Sequence, residues 1–192
     1  MRFFIALEIP EESRRQLELV QKELQEIVPG TRLTDNQKLH LTIAFLGEKP
    51  DRMKDALTQI IQSAVLNIPP FEITPAYIDG FPNLHNANVF WVGVKGDIDK
   101  LMVIRERIKD GLVSLGLDTN EKRYIPHISV GKINNSFHLQ PQQERKLQEM
   151  MMDHFAPICI SSIKLFESIP EEGFHTHNTL AEIPLEVTNY AL

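Results

Sequence analysis

The 192-residue sequence predicts an α+β fold of two pseudo-symmetric lobes, each a mainly antiparallel sheet with two helices, with an active site in the central cleft. Three observations carry this prediction. The chain repeats itself at an offset of 87 residues, helical and extended patterns alternate within each copy, and tight polar connections join some of the strands.

The repeat is read from three ungapped matches in one frame. Phe3-Phe4-Ile5-Ala6-Leu7 falls on Phe90-Trp91-Val92-Gly93-Val94, aromatic on aromatic and small on small. His40-Leu41-Thr42-Ile43-Ala44 falls on His127-Ile128-Ser129-Val130-Gly131, and Phe71-Glu72-Ile73 on Ile158-Cys159-Ile160. The chain therefore reads as one bilobal domain over 1–192, with repeat halves of approximately 1–80 and 88–167.

Each element has its own reason. Residues 2–8 are apolar on both faces, as an interior strand requires. Leu17, Val20, Leu24, Ile27 and Val28 recur at helical spacing between Pro10-Glu11-Glu12 and the stop Pro29-Gly30. The counterpart helix, with Leu101, Ile104, Ile108, Leu112 and Leu115, fits better at an offset of 88. Second helices are expected over 51–66 and 141–154, each followed by proline and a closing strand. Thr179 to Val187 reads as one further strand at the C-terminal end.

Composition sets outer bounds. No apolar run approaches the roughly 18–20 residues that cross a bilayer, and the first residues lack a signal-peptide core. A single cysteine excludes an internal disulfide and a cysteine-rich zinc module. A net charge of −6 argues against coating long nucleic acid, yet allows a phosphate-bearing substrate in a locally basic groove. A soluble cytoplasmic protein without membrane contact is expected. A monomer is expected too, because each half supplies the other's partner surface.

The two histidine strands carry the chemistry. A period of two puts His40, Thr42 and Ala44 on one face, with Leu39, Leu41, Ile43 and Phe45 on the core face. In the second copy His127, Ser129 and Gly131 share a face against Ile128 and Val130, which turns Lys132 away from His127 unless the strand bends. Each lobe then offers an imidazole, a hydroxyl roughly 6–7 Å further along, and a small residue. Two imidazoles near neutrality serve as a complementary base and acid, and two hydroxyls donate to phosphate oxygens. That set suits a strained cyclic phosphodiester, which needs neither metal nor cofactor. His-x-Ser/Thr alone is weak: about 0.6 matches are expected by chance and three occur. The third, His177-Asn178-Thr179, has no partner at the repeat offset and is set aside as noise.

Rival groupings are thinner. His175 and His177 share strand parity, but neither they nor His138, His154 and Cys159 supply a third metal ligand at diagnostic spacing. Cys159 sits between Ile158 and Ile160 and reads as an inert core thiol. Lys38, Lys122 and Arg123, just before the two motifs, suggest a modest basic rim.

The opening Arg2-Phe3-Phe4-Ile5-Ala6-Leu7, Lys38 to Gly47, Gly80-Phe81-Pro82, Phe90 to Val94 and Tyr124 to Val130 resemble the 2H phosphoesterase superfamily, in its RNA 2′,3′-cyclic phosphodiesterase (2′-5′ RNA ligase-like) branch. The resemblance implies a bilobal fold and metal-independent hydrolysis of 2′,3′-cyclic phosphate at RNA or nucleotide ends to a 2′-phosphate. It also implies reverse 2′-5′ joining of RNA ends in some members. Carried over, His40 is the proton donor to the departing 3′ oxygen and His127 the proton acceptor, while Thr42 and Ser129 hold the phosphate. Lys132 stands where members of the branch usually have Arg, keeping the charge but not the two-pronged grip. Phe81 is placed to stack on a base or to pack its loop. Ala44 stands where a Lys is frequent, and Gly173-Phe174-His175-Thr176 where the family has a Gly-Pro-aromatic stretch. Those departures leave open a non-catalytic RNA- or nucleotide-binding module, or a 2H enzyme for another cyclic phosphate. A metallohydrolase built on the C-terminal histidines would instead lose activity in chelator.

Overall fold

The unbroken apolar run at the start forms strand β1, Arg2–Glu8, with Phe3 to Leu7 all buried. The computed structural model describes residues 1–117, 123–134 and 138–187. After β1 come α1 (Glu11–Ile27), β2 (Arg32–Leu33), β3 (His40–Glu48), α2 (Lys54–Ala64), β4 (Phe71–Phe81) and β5 (Val89–Gly96). The second half continues with α3 (Ile98–Ser114), β6 (His127–Lys132), α4 (Pro141–Met150), β7 (Ile158–Ile160), β8 (Ser162–Glu171) and β9 (Phe174–Pro184). The expected helices are present. The second of each pair is shorter than its periodicity suggested, because a 3₁₀ turn at Asp51–Met53 takes the start of one and α4 ends at Met150.

All strand pairs are antiparallel, in the order β7-β4-β5-β6-β3-β1-β8-β9, with β2 on β6. The repeat offset maps β1 onto β5 and β3 onto β6, and carries β4 onto β7 and the start of β8, so the central order reads the same from both ends. The two-fold axis passes between β3 and β6. These strands meet only where Leu41 pairs with Ile128, two residues 87 apart.

Lobes and repeats do not coincide. β4, from the first half, pairs with β5, and β8, from the second half, pairs with β1. The first helices cross over as well: α1 packs on β6 and α4, and α3 on β3 and α2. One apolar core runs beneath both lobes, while Phe4, Ala6 and Phe166 form a small second cluster on the opposite face of β1.

Two sequence expectations are corrected. The last strand starts at Phe174 rather than Thr179, because the polar stretch His175 to Thr179 pairs with β8 in a half-exposed hairpin and shows no apolar pattern. Cys159 is exposed, since β7 buries Ile158 and Ile160 and its alternation turns the thiol outward.

Candidate active site

His40 opens β3 and His127 opens β6. The pairing of Leu41 with Ile128 sets His40 at the register position opposite Ser129, and Thr42 opposite His127. Both imidazoles are held by the same device. His40 Nδ1 lies 2.8 Å from the Lys38 carbonyl and His127 Nδ1 2.7 Å from that of Ile125, again 87 residues apart. A carbonyl only accepts, so each Nδ1–H donates and each Nε2 is left for a substrate. Each ring also meets an aromatic at equivalent repeat positions: Phe4 is 5.3 Å from His40 and Trp91 5.4 Å from His127.

Strand parity fails beyond Thr42 and Ser129, and the reason is local. In the β1–β3 ladder Ile5 pairs with Ala44 and Ala6 with Thr42, so Ile43 is bulged out of the count. In the β5–β6 ladder Phe90 pairs with Gly131 and Trp91 with Ser129, so Val130 is bulged. Ile43 and Val130 are 87 residues apart. Each bulge sends two consecutive residues to the core. Ala44 joins the core instead of the groove, and a Cβ on Gly131 would meet Leu24 and Thr31. The parity beyond is inverted. Phe45, expected in the core, is 62% exposed and lines the groove, and Lys132 lines it too.

A bulge frees a carbonyl that must be satisfied when buried. The Ile43 carbonyl accepts from Arg105 Nη1, whose guanidinium lies 4.1 Å over the Tyr124 ring. The Val130 carbonyl accepts from Gln21 Nε2 and from the Thr34 N–H, both at 3.0 Å. Arg105 and Gln21 are among the few buried polar side chains of the protein, each sent by the first helix of the other half. Tyr124 Oη donates to the Thr42 carbonyl at 2.8 Å, bracing the strand beside the hydroxyl.

The groove encloses about 1000 Å³, and His40, Thr42, His127 and Ser129 all line it. Arg2, Arg32, Lys38 and Lys132 line it as well, against one acidic side chain among the described residues, Asp35. A chain with net charge −6 thus concentrates cations around its histidines, which favours an anionic ligand. Lys38 is partly engaged, donating to the His175 carbonyl at 3.2 Å. Arg123 is exposed, and Lys122 lies outside the described residues. Phe81 is 36% exposed and stands edge-on to His127, 5.0 Å from its ring centre.

His177, set aside on sequence, belongs here. It lines the groove, edge-on to His40 at 5.4 Å and to Phe4 at 4.9 Å. β9 delivers it by pairing His177 with Ser168, and His175 lines the groove from the same hairpin. The sequence signals were the third His-x-Thr match at His177 and the shared parity of His175 and His177; the repeat has no counterpart for β9. Burial lowers the pKa of His177 to about 4, helped by the charges of His40, Lys38 and His175. His40 is also held below the ordinary histidine value. Burial is the largest cause, the Lys38 carbonyl opposes it, and His127 adds to it. Among the described residues no three metal-ligating side chains cluster; His138 bonds Asn86 and does not line the groove. No helix among them is long and apolar enough to cross a membrane.

Two imidazoles and two hydroxyls converging on a cation-lined groove across a pseudo-two-fold axis define a 2H-type phosphoesterase. The chain belongs to the 2′-5′ RNA ligase superfamily, whose family model matches residues 9–165. It is 29% identical over 169 residues to an RNA 2′,3′-cyclic phosphodiesterase of Methanocaldococcus jannaschii, covering 88% of this chain and 91% of that protein. A Thermotoga maritima protein of the same name is 28% identical, covering 88% of this chain and 87% of that one. Among solved structures, a Thermus thermophilus protein, TT0787, superposes with a TM-score of 0.76 at 20% identity, covering 97% of this chain and 99% of that one. E. coli LigT complexed with 3′-AMP superposes at 0.72 and 19%, covering 96% and 97%.

Proposed function

We propose that the protein hydrolyses 2′,3′-cyclic phosphodiesters at RNA or nucleotide ends to 2′-phosphates, by acid/base catalysis from two histidines without a metal or cofactor. The observation that carries this reading is the paired tether: both Nδ1 atoms are tied back to carbonyls, leaving both Nε2 atoms for one groove. His127 Nε2 takes a proton from water as the new P–O bond forms. His40 Nε2–H gives a proton to the 3′ oxygen as the P–O3′ bond breaks. The Thr42 and Ser129 hydroxyls hold the non-bridging oxygens, Lys132 adds a substrate-binding cation further along the groove, and Phe81 offers a face to the base. An RNA 5′-hydroxyl in place of water would yield a 2′-5′ bond by the same transfers. The names of the relatives support the substrate class, and the 3′-AMP bound by LigT supports a nucleotide-sized occupant for this fold. The halves 1–80 and 88–167 act as fused copies of one unit, in a cytoplasmic monomer.

One observation favours exchanged roles. Burial holds His40 below the ordinary histidine value, so it stays neutral near pH 7, which suits the base. A cyclic phosphate with sulfur at the 3′ bridging position separates the two, because a thiolate leaves without a proton. With His40 as acid, His40→Ala recovers turnover on the sulfur substrate and His127→Ala does not. Recovery in His127→Ala alone establishes the exchange. Tight binding without turnover by the wild type would instead favour a binding module.

A further inference from the structure

We infer that the groove holds a second phosphate between Arg32 and Lys132, so that its preferred substrate carries a phosphate on the 5′ oxygen of the nucleotide bearing the cyclic group. This rests on the phosphodiesterase reading above and extends it to the part of the substrate that does not react.

β2 is two residues long and pairs only with β6, and its register sets Arg32 directly opposite Lys132. Like charges at opposed positions of an antiparallel pair repel and destabilise the sheet unless something between them is negative. Both side chains are exposed and both line the groove. Neither has a carboxylate within 4.0 Å among the described residues. Arg32 Nη2 donates to the neutral Asn134 Oδ1 at 3.1 Å, which orients the guanidinium without cancelling its charge. Asp35, the one acidic group lining the groove among the described residues, accepts from the Gln37 N–H.

The other groove cations are differently placed. Arg2 sits at the register position opposite Glu48, and Lys38 donates to the His175 carbonyl beside the Phe174 ring. Among the described groove cations, Arg32 and Lys132 are the two that a sheet ladder sets directly opposite each other. The Val130 bulge that inverts strand parity is what brings Lys132 to this side. Lys132 lies three residues beyond Ser129, roughly 10 Å along an ideal strand and less across a bulge. With the reach of a lysine side chain, that matches one ribose carrying a phosphate at each end. Arg32 brings a planar fork and Lys132 a point charge, which together grip a phosphate better than a lysine alone.

The test uses one nucleoside 2′,3′-cyclic phosphate with and without a 5′-phosphate, and a dinucleotide with a cyclic end whose internal linkage is either a phosphodiester or an uncharged methylphosphonate. Wild-type kcat/KM is expected to be about 10–100-fold higher for the 5′-phosphorylated nucleotide than for its 5′-hydroxyl form. The charged linkage should exceed the neutral one by a similar factor, and Arg32→Gln should shrink both ratios to within a few-fold of one. A gain from the 5′-monophosphate alone would make the natural substrate a free nucleotide; a gain from the diester as well admits an RNA chain. Equal turnover of charged and uncharged partners overturns the second-phosphate site while leaving the activity intact. No turnover of any substrate overturns the activity itself.

Discussion

The two halves of the groove use the same backbone devices and different walls. On the His40 side Nδ1 is tied to Lys38, the ring leans on Phe4, Ile43 is bulged and Arg105 fills the freed carbonyl. On the His127 side Ile125, Trp91, Val130 and Gln21 repeat each part. Beyond the bulge the halves diverge. Phe45 lines the first side where Lys132 lines the second, and the outer ring beside the imidazole is His177 on one side and Phe81 on the other. What the two-fold preserves positions protons; what it does not preserve meets the parts of a substrate that are not symmetric.

Breaking the shared part should cost most. His40→Ala and His127→Ala are each expected to lower kcat by about 10²–10⁴-fold while circular dichroism and Tm stay close to wild type. Full activity in either variant would mean that the two-fold arrangement is structural only. Next come the bulge supports. Arg105→Met leaves the Ile43 carbonyl buried without that donor and should destabilise by about 1–3 kcal/mol in urea unfolding. Gln21→Leu should cost less, because the Val130 carbonyl keeps the Thr34 N–H. The reverse order would undercut the claim that these side chains serve equivalent roles. The unlike walls should respond in kinetics. Lys132→Ala is expected to raise KM roughly tenfold. Phe45→Ala, at an exposed position, should leave stability within about 0.5 kcal/mol and alter the preference among nucleosides.

How far the sequence could be read follows from the same comparison. The repeat offset placed both histidine strands, and alternating helices and strands with tight polar connections pointed to the antiparallel α+β class. Alternation was reliable up to Thr42 and Ser129 and misassigned Ala44, Phe45 and Gly131 beyond them, because a bulge adds one residue and inverts every face after it. Nothing in Ile43 or Val130 announces a bulge; it shows only in the ladders and in the buried Arg105 and Gln21 that answer it. The exchange of closing strands between lobes was equally hidden, since a repeat in sequence does not say which copy a strand pairs with. His177 escaped because β9 has no repeat partner and its polar run lacks a buried face.

The smallest expected effect concerns that hairpin. The pKa of His177 is lowered to about 4, below its unfolded value near 6.5, so the unfolded chain binds more protons between those values. Its contribution to stability is present above about pH 6.5 and is lost as pH falls through about 4. His177→Phe, which keeps a ring against Phe4 and His40, should flatten the fall of Tm with acidification over that window. An unchanged slope would place the acid sensitivity elsewhere.

The most direct measurement is turnover of a nucleoside 2′,3′-cyclic monophosphate in excess chelator, with 2′- and 3′-phosphate products resolved. A 2′-phosphate formed at the same rate with and without chelator is the predicted result. Activity lost in chelator, or a 3′-phosphate product, would contradict two-histidine catalysis with the 3′ oxygen as the leaving group.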